Sequence, residues 1–372
     1  MIVEIVGIGA PNKGAELMLV SIMEQVKQRY PEAKFVLEPY TSYEERAKYG
    51  CLQKAWFTVK GFQCGNVFSV LPERIRRKFG IVLDREVDVI MDGSGFAYGE
   101  QWGANKIRNR LTRYIDGWKK QGKKVIILPQ ALGPFESEEV KSNIVPVFEK
   151  ANIVFARDNK SFEYSQSLVN NTLYQAPDFT NLCKGIVPPS LENSELDICI
   201  IPNSKMVDMT SQSSDDYVDM LVNAVNLAQN NGRLPFLLVH EGKKDFALAE
   251  AVNDKLRTKL DILSFDDPKH IKGVIGKSKL VISSRFHGLV SSLSQGVPCI
   301  ATGWSHKYQM LMGDYGCEQL LVANSEELVA MLRSLMDEQT YLETSHKITV
   351  NAAEQKLLSQ EMWQKVFDVI EK

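Results

Sequence analysis

The sequence predicts an α/β protein built from two doubly wound parallel-sheet domains. Three observations indicate this architecture: short apolar runs alternate with helical patterns, these runs are continuously apolar, and 372 residues exceed what one hydrophobic core usually serves. Continuous apolar strands separated by helices are typical of a parallel sheet that is covered on both faces. We therefore expect two Rossmann-like domains in tandem.

The first domain is predicted to span residues 1–185. Its expected buried strands are 2–7, 33–37, 87–91, 124–128, 153–156 and 173–175. Residues 183–196 are rich in proline and polar side chains, which suits an interdomain linker. Residues 41–86 fit the pattern least, and we interpret them as an excursion from the first sheet. They form either a helical cover with aromatic anchors or a surface that contacts a substrate or a membrane.

The second domain is predicted to span residues 196–358. Its expected strands are 196–201, 235–240, 260–263, 279–283 and 299–301. A final amphipathic helix is expected at 359–372. Doubly wound sheets bind ligands at the carboxyl ends of their strands, so functional residues should follow the strands and line a cleft between the domains.

Composition excludes several classes of function. The chain carries 44 Lys and Arg against 46 Asp and Glu, so a net charge of −2 gives no global attraction for nucleic acid or an acidic membrane, and any anion site must be local. Six scattered cysteines lack metal-site spacing and suggest reduced thiols, while the five histidines are dispersed and predict no metal or cofactor. The apolar start resembles a buried strand and not a signal peptide, and no apolar run reaches membrane-spanning length. We expect a cytoplasmic enzyme.

The strongest candidate site follows the predicted strand 279–283. Arg285 and His287 come at the strand end, and Gly288 follows at the start of a helix, where free N–H groups favour an anion. An arginine fork binds carboxylate or phosphate, and histidine transfers protons near neutral pH. The alternative is a structural role for both residues. His287 would cap the turn or hydrogen-bond its backbone groups, while Arg285 would make an interdomain salt bridge.

Other polar residues follow neighbouring strands. His306 and Lys307 lie in the loop after the next strand, with Lys307 the stronger candidate for an anion ligand. Arg157 follows the strand 153–156 and could point a cation into the cleft, whereas Asp158 is expected to be a helix N-cap.

Small and polar residues follow the strands of the first domain. In the opening loop, Asn12 and Glu16 add polar groups beside a glycine-rich turn. Ser94 lies in a second glycine turn, and residues 130–134 form a third small-residue turn. Each turn suits either a rim that admits a ligand or tight packing between strand and helix.

Together these motifs resemble the polysaccharide pyruvyltransferase family, whose architecture is similar to two-domain (GT-B) glycosyltransferases. The matching segments are 9–16 with Asn12 and Gly14, 93–95, 129–133, 156–158, 284–288 and 296–298. They extend over nearly the whole chain in order. The Arg-Phe-His-Gly segment at 285–288 is the most specific, while Ser94 departs from the run of glycines that is common in the family.

The resemblance implies transfer of pyruvate from phosphoenolpyruvate to two hydroxyls of a sugar, which forms a cyclic ketal without a metal or cofactor. Arg285 and His287 match the family's donor-site pair, and Arg157 matches the cation in the other domain. We expect Gly288, Lys307 and His306 to help bind the donor. The expected acceptor-binding residues are Asn12, Glu16, Ser94 and Trp56.

The acceptor is expected to be a polysaccharide sugar or its precursor, with a lipid-linked form left open. Aromatic Trp56 and the basic residues Arg74, Arg76 and Arg77 would then govern acceptor use, with peripheral contact at the inner membrane face also left open. Two other functions remain open: a nucleotide-sugar-dependent glycosyltransferase on the same architecture and a non-catalytic carbohydrate-binding protein.

Overall fold

The fold is described from a computed structural model that covers residues 1–9, 12–38, 41–59, 62–169, 172–208, 213–303 and 306–372. The chain divides into two compact units. The first unit contains Met1–Ala10, Met18–Phe179 and Gln360–Lys372, and the second contains Pro11–Leu17 and Thr180–Ser359. Two short segments depart from the sequence order. The first turn of helix α1 (Lys13–Arg29) is grouped with the second unit, and the C-terminal residues are grouped with the first unit.

The first unit is built on a nine-stranded parallel sheet. Its strands are β1 (Ile2–Val6), β2 (Lys34–Leu37), β3 (Leu52–Lys54), β6 (Ile81–Val82), β7 (Val89–Asp92), β8 (Phe96–Tyr98), β9 (Lys124–Leu132), β10 (Ile153–Ala156) and β11 (Leu173–Gln175). The spatial order is β11-β10-β9-β7-β1-β2-β3-β6, with β8 paired to β9. The order reverses beside β1, so the switch point lies where β1 and β7 end.

Two interpretations of the first domain need correction. Residues 41–86 are not an excursion from the sheet, since β3 and β6 extend its edge next to β2. Within this segment, β4 (Thr58–Val59) and β5 (Phe62–Gln63) form a separate antiparallel pair. The small-residue turn expected at 130–134 begins later, because β9 continues to Leu132.

Short helices cover the first sheet. They are α2 (Tyr43–Lys48), α3 (Glu73–Lys78), α4 (Ala104–Ile107), α5 (Arg113–Lys120), α6 (Glu138–Lys150) and α7 (Asn159–Ser165). A five-residue π-helix, Arg108–Thr112, joins α4 to α5. Ser42, Ser137 and Asp158 cap helices by accepting backbone N–H groups, as predicted for Asp158.

The second unit is built on a five-stranded parallel sheet. Its strands are β12 (Ile198–Ile201), β13 (Pro235–Val239), β14 (Ile262–Ser264), β15 (Leu280–Ser283) and β16 (Cys299–Ala301). The order β14-β13-β12-β15-β16 reverses between β12 and β15, which makes the ends of these two strands the switch point.

Helices cover both faces of this sheet. They are α8 (Lys205–Asp208), α9 (Ser214–Asn230), α10 (Gly242–Lys255), α11 (Pro268–Lys277), α12 (Phe286–Leu293), α13 (His306–Asp314), α14 (Ser325–Leu335) and α15 (Glu338–Glu371). The final helix is therefore much longer than the predicted 359–372. The expected linker 183–196 packs on the second unit, because a Cβ on Gly185 would lie 2.6 Å from the backbone nitrogen of Gly273 in α11.

Candidate functional site

Polar side chains gather at the switch point of the second unit. Asn203 follows β12 and Ser284 follows β15, and the Asn203 amide donates a 2.7 Å hydrogen bond to the Ser284 carbonyl. His240 follows the adjacent strand β13. Because parallel strands end at the same edge, this topology places the Arg285 segment among polar groups from neighbouring strands.

Arg285 is held by two acidic side chains. It is the N-cap residue of α12, and its guanidinium contacts the carboxylates of Glu241 and Asp245. Asp245 is fully buried and also accepts the backbone N–H groups of Ser204 (3.0 Å) and Glu241 (3.1 Å). The two terminal nitrogens that we expected to face an anion therefore contact acidic residues. The alternative interpretation was that Arg285 makes an interdomain salt bridge. The two salt bridges lie within one unit instead, since both acids belong to the same unit as Arg285.

His287 lies against the opening loop. A Cβ on Gly14 would be 2.4 Å from Nδ1 of His287 and 3.1 Å from Oδ1 of Asn12, so glycine leaves the space that the imidazole fills. Asn12 caps α1, because its Oδ1 accepts the Ala15 N–H (3.0 Å) and its carbonyl accepts the Glu16 N–H (2.8 Å). We expected Asn12 and Glu16 on the acceptor side of the first domain, but both group with the second unit.

Lys13 adds a cation that the sequence analysis missed. Its Nζ lies 2.8 Å from the Glu16 carboxylate and donates a 2.9 Å hydrogen bond to the carbonyl of Asp266, which follows β14. Glu16 is itself buried. The first turn of α1 is thus tied to the strand-end loops of the second sheet.

His240 is a second histidine of this site. It is buried, and its Nδ1 has no hydrogen-bond partner among the described residues. Burial lowers the pKa of His240 to about 3, and the positive charges of Arg285, His287 and Lys13 act in the same direction. A neutral imidazole therefore stands among cationic groups. The sequence did hold a signal for His240 as a site residue, because it lies at the end of the predicted strand 235–240.

The other predicted donor residues have different environments. A Cβ on Gly288 would lie 2.9 Å from Oγ of Ser283, so this glycine allows α12 to pack on β15. The Nζ of Lys307 lies 5.6 Å from the ring centroid of Phe286, which places it near the Arg285 turn. The side chain of His306 lies outside the described part of the structure.

A second polar cluster occupies the switch point of the first unit, and it contains Ser94. The Ser94 N–H donates to Asp92 (2.9 Å), and its Oγ accepts a 2.9 Å hydrogen bond from Arg110. Gly7 follows β1 with φ of 81°, and a Cβ there would overlap Ser94 Oγ at 1.9 Å. Both glycine turns identified in the sequence therefore meet at one point, and Gly7 is required there.

Arg110 and Glu38 complete this cluster, and sequence reasoning missed both. Arg110 comes from the π-helix, an uncommon conformation that often marks functional sites. Its Nε lies 3.9 Å from Glu38, whose carboxylate accepts the Gly7 N–H at 3.0 Å. Burial raises the pKa of Glu38 more than the charge of Arg110 lowers it. Gln130 donates to Asp92 at 3.4 Å from the adjoining strand β9.

The remaining predicted residues lie elsewhere in the first unit. Arg157 is buried 3.4 Å from the buried carboxylate of Asp178. Trp56 packs edge-on against Tyr114 with ring centroids 5.4 Å apart, and Lys54 lies 5.5 Å from its ring. Both side chains make these contacts within the first unit.

Within the described ranges, no group of three or more His, Cys, Asp or Glu side chains is arranged to hold a metal ion. Over the same part of the chain, no helix is both long and apolar enough to cross a bilayer.

The fold resembles that of several solved structures. UDP-GlcNAc 2-epimerase from Neisseria meningitidis bound to UDP-GlcNAc matches with a TM-score of 0.62 and 9% identity, over 99% of this chain and 100% of that chain. A glycosyltransferase from Rickettsia africae matches at 0.59 and 14%, over 100% and 98%. MurG from Acinetobacter baumannii matches at 0.54 and 13%, over 99% and 99%. These likenesses confirm the predicted fold class, an α/β protein of the GT-B type.

The sequence comparison identifies the family. The family model described as polysaccharide pyruvyl transferase matches residues 12–306, which include both the Gly14 turn and the His287 turn. The chain therefore belongs to the polysaccharide pyruvyl transferase family. A comparison with curated proteins found no match.

Proposed function

We propose that this transferase moves pyruvate from phosphoenolpyruvate onto two hydroxyls of one sugar, in a polysaccharide or its lipid-linked precursor. The observation that carries the proposal is the contact of the Gly14 turn with His287, two residues beyond the acid-held Arg285. Both segments lie within the family match. The contact brings His287, which can transfer a proton, close to the cations Arg285 and Lys13 within the second unit.

The second unit is proposed to bind the donor. Phosphoenolpyruvate carries a carboxylate and a phosphate, and Arg285, Lys13 and Lys307 are cations of the His287 region. Glu241 is the more exposed of the two acids on Arg285, with 24% of its side chain accessible. A donor carboxylate could replace Glu241 on the guanidinium while buried Asp245 keeps its contact. Gly288 and His306 are proposed to support this site, and Arg157 is proposed as a further donor-binding cation.

The proposed reaction needs one proton donor and no metal. His287 in its protonated form gives a proton to the methylene carbon of phosphoenolpyruvate, which leaves positive charge on the adjacent carbon. One sugar hydroxyl adds to that carbon, phosphate leaves with the C–O electron pair, and the second hydroxyl closes the ketal. The two hydroxyl protons pass to His287 and to phosphate. Cations beside the departing phosphate stabilise its charge.

The first unit is proposed to bind the acceptor through its Ser94 cluster. Asp92 and Glu38 against Arg110 give this cluster two potential negative charges and one positive charge. That balance disfavours an anion and suits a neutral sugar ring, whose hydroxyls both donate and accept hydrogen bonds. Asn12, Glu16 and Trp56 remain proposed acceptor contacts. We propose that the enzyme acts in the cytoplasm and reaches a lipid-linked acceptor at the inner membrane face.

Ligand protection tests this proposal against a nucleotide-sugar glycosyltransferase or a non-catalytic sugar binder. We expect phosphoenolpyruvate to raise the melting temperature, whereas uridine diphosphate should not. The His287→Ala variant should still bind phosphoenolpyruvate but release phosphate at least about 100-fold more slowly when a sugar acceptor is added. Protection by uridine diphosphate alone would instead support the glycosyltransferase.

A further inference from the structure

One surface of the first unit exposes apolar and basic side chains together. Five of the sixteen exposed large hydrophobic residues in the described structure lie between positions 67 and 79. They are Val67, Val70, Leu71, Ile75 and Phe79, of which Val70 is 79% and Phe79 72% exposed. This concentration, termed here the α3 surface (residues 67–79), contrasts with the isolated exposed residues that are normal on proteins.

Helix α3 is fixed to the unit by its one buried residue. Arg76, which we expected to act as a surface cation, makes two hydrogen bonds of 2.8 and 2.7 Å with Glu86. That ion pair determines which side of the helix faces inward. The exposed Ile75 and Phe79 are one helical turn apart and are displayed outward as a result.

The α3 surface is also positively charged. Its exposed bases are Arg74, Arg77 and Lys78, and its one acid, Glu73, lies 2.5 Å from Arg77. These residues carry a local excess of positive charge in a chain whose net charge is −2. An apolar patch bordered by bases is the pattern that binds the surface of an anionic bilayer.

We propose that the α3 surface docks on an anionic lipid bilayer, with Ile75 and Phe79 entering the interface while Arg74 and Lys78 contact lipid phosphates. A second copy of this chain fits less well, because a two-fold contact would place these bases opposite themselves. The inference builds on the proposed location at the inner membrane face. It is tested without any assay of pyruvyl transfer.

Co-sedimentation with vesicles tests the docking. We expect the full-length protein to bind vesicles of phosphatidylglycerol and phosphatidylcholine and to bind pure phosphatidylcholine much more weakly. The triple variant R74S/R77S/K78S should lower the partition coefficient by about 100-fold at low salt. The double variant I75S/F79S should lower it by about 10-fold or more. Added salt should weaken the wild type and leave the triple variant nearly unchanged.

The matched control is L342S/L357S, which removes two leucines of α15 that are 57% and 55% exposed. It should bind anionic vesicles like the wild type. The proposal would be overturned if the wild type bound both vesicle types equally, or if I75S/F79S bound anionic vesicles as well as the wild type. It would also be overturned if the only effect of I75S/F79S were the loss of self-association. Each variant's melting temperature and its shift with phosphoenolpyruvate are measured in parallel, so a failure of docking is distinguishable from a failure of the proposed function.

Discussion

Gly14 and His287 are in direct contact, although they lie near opposite ends of the family match. A Cβ on residue 14 would be 2.4 Å from the imidazole Nδ1, a distance that nonbonded carbon and nitrogen atoms do not reach. The lack of a side chain at Gly14 therefore leaves the space that the His287 imidazole occupies, although His287 comes from another strand end.

Gly14→Ala should displace His287 and lower turnover by about 100-fold, the usual contribution of a positioned acid or base. Alanine is the better helix former, so the melting temperature should change little. Gly9→Ala is the control, because nothing lies within 4 Å of a Cβ at position 9. Equal turnover of the two variants would show that the contact is irrelevant to catalysis.

His287→Ala should lower turnover by about 100-fold or more while the protein stays folded. The measurement is steady-state phosphate release together with thermal unfolding. His346→Ala, which alters an exposed histidine of α15, should leave both unchanged. If His287→Ala keeps its turnover and instead unfolds the protein, the structural interpretation of this histidine is correct.

Arg285→Lys should weaken both binding and folding, because lysine cannot contact Glu241 and Asp245 as the planar fork does. Leaving buried Asp245 poorly compensated should lower the free energy of unfolding by on the order of 2 kcal/mol. Urea unfolding and phosphoenolpyruvate titration measure the two effects. Near-normal phosphoenolpyruvate affinity with reduced stability would assign Arg285 to structure alone. Arg257→Lys, at an exposed position, is the control.

His240 should make stability depend on pH. Its folded-state pKa is about 3, below the ordinary value of 6.5, so the unfolded chain binds a proton first as the pH falls. The wild type should therefore lose stability below pH 6.5, by up to about 1.4 kcal/mol per pH unit more than His240→Asn. Urea unfolding between about pH 6.5 and 4 gives the two slopes. Parallel slopes would contradict a buried neutral His240.

Activity should survive chelation, because the proposed chemistry uses protein cations and a histidine acid. The assay is phosphate release before and after treatment with EDTA. Loss of activity in EDTA that a divalent ion restores would refute this account of the reaction.

Much of the fold could be predicted because parallel strands are buried on both faces and therefore read as continuous apolar runs. Strands β3 and β6 were missed because β3 (Leu52–Lys54) contains a single apolar residue and β6 has only two residues, so neither shows an apolar run. For this reason residues 41–86 looked like an excursion. A strand of two residues is defined by its neighbour in the sheet and not by its own sequence.

The candidate site was only partly predictable. Arg285 and His287 were found because a specific motif follows a strand, but the acids that hold Arg285 come from another strand end. His240 and Glu38 each end or follow a predicted strand and could have been found by that rule. Arg110 gave no signal, since its position depends on a π-helix that the sequence pattern does not reveal.

The most direct test of the account is mass spectrometry of a sugar acceptor after incubation with the enzyme and phosphoenolpyruvate. Lipid-linked and free oligosaccharides serve as candidate acceptors, and phosphate release is followed in the same reaction. The account predicts that one acceptor gains the mass of pyruvic acid less one water, with one phosphate released for each product. Phosphate release without this product, or transfer of a sugar from a nucleotide donor instead, would contradict it.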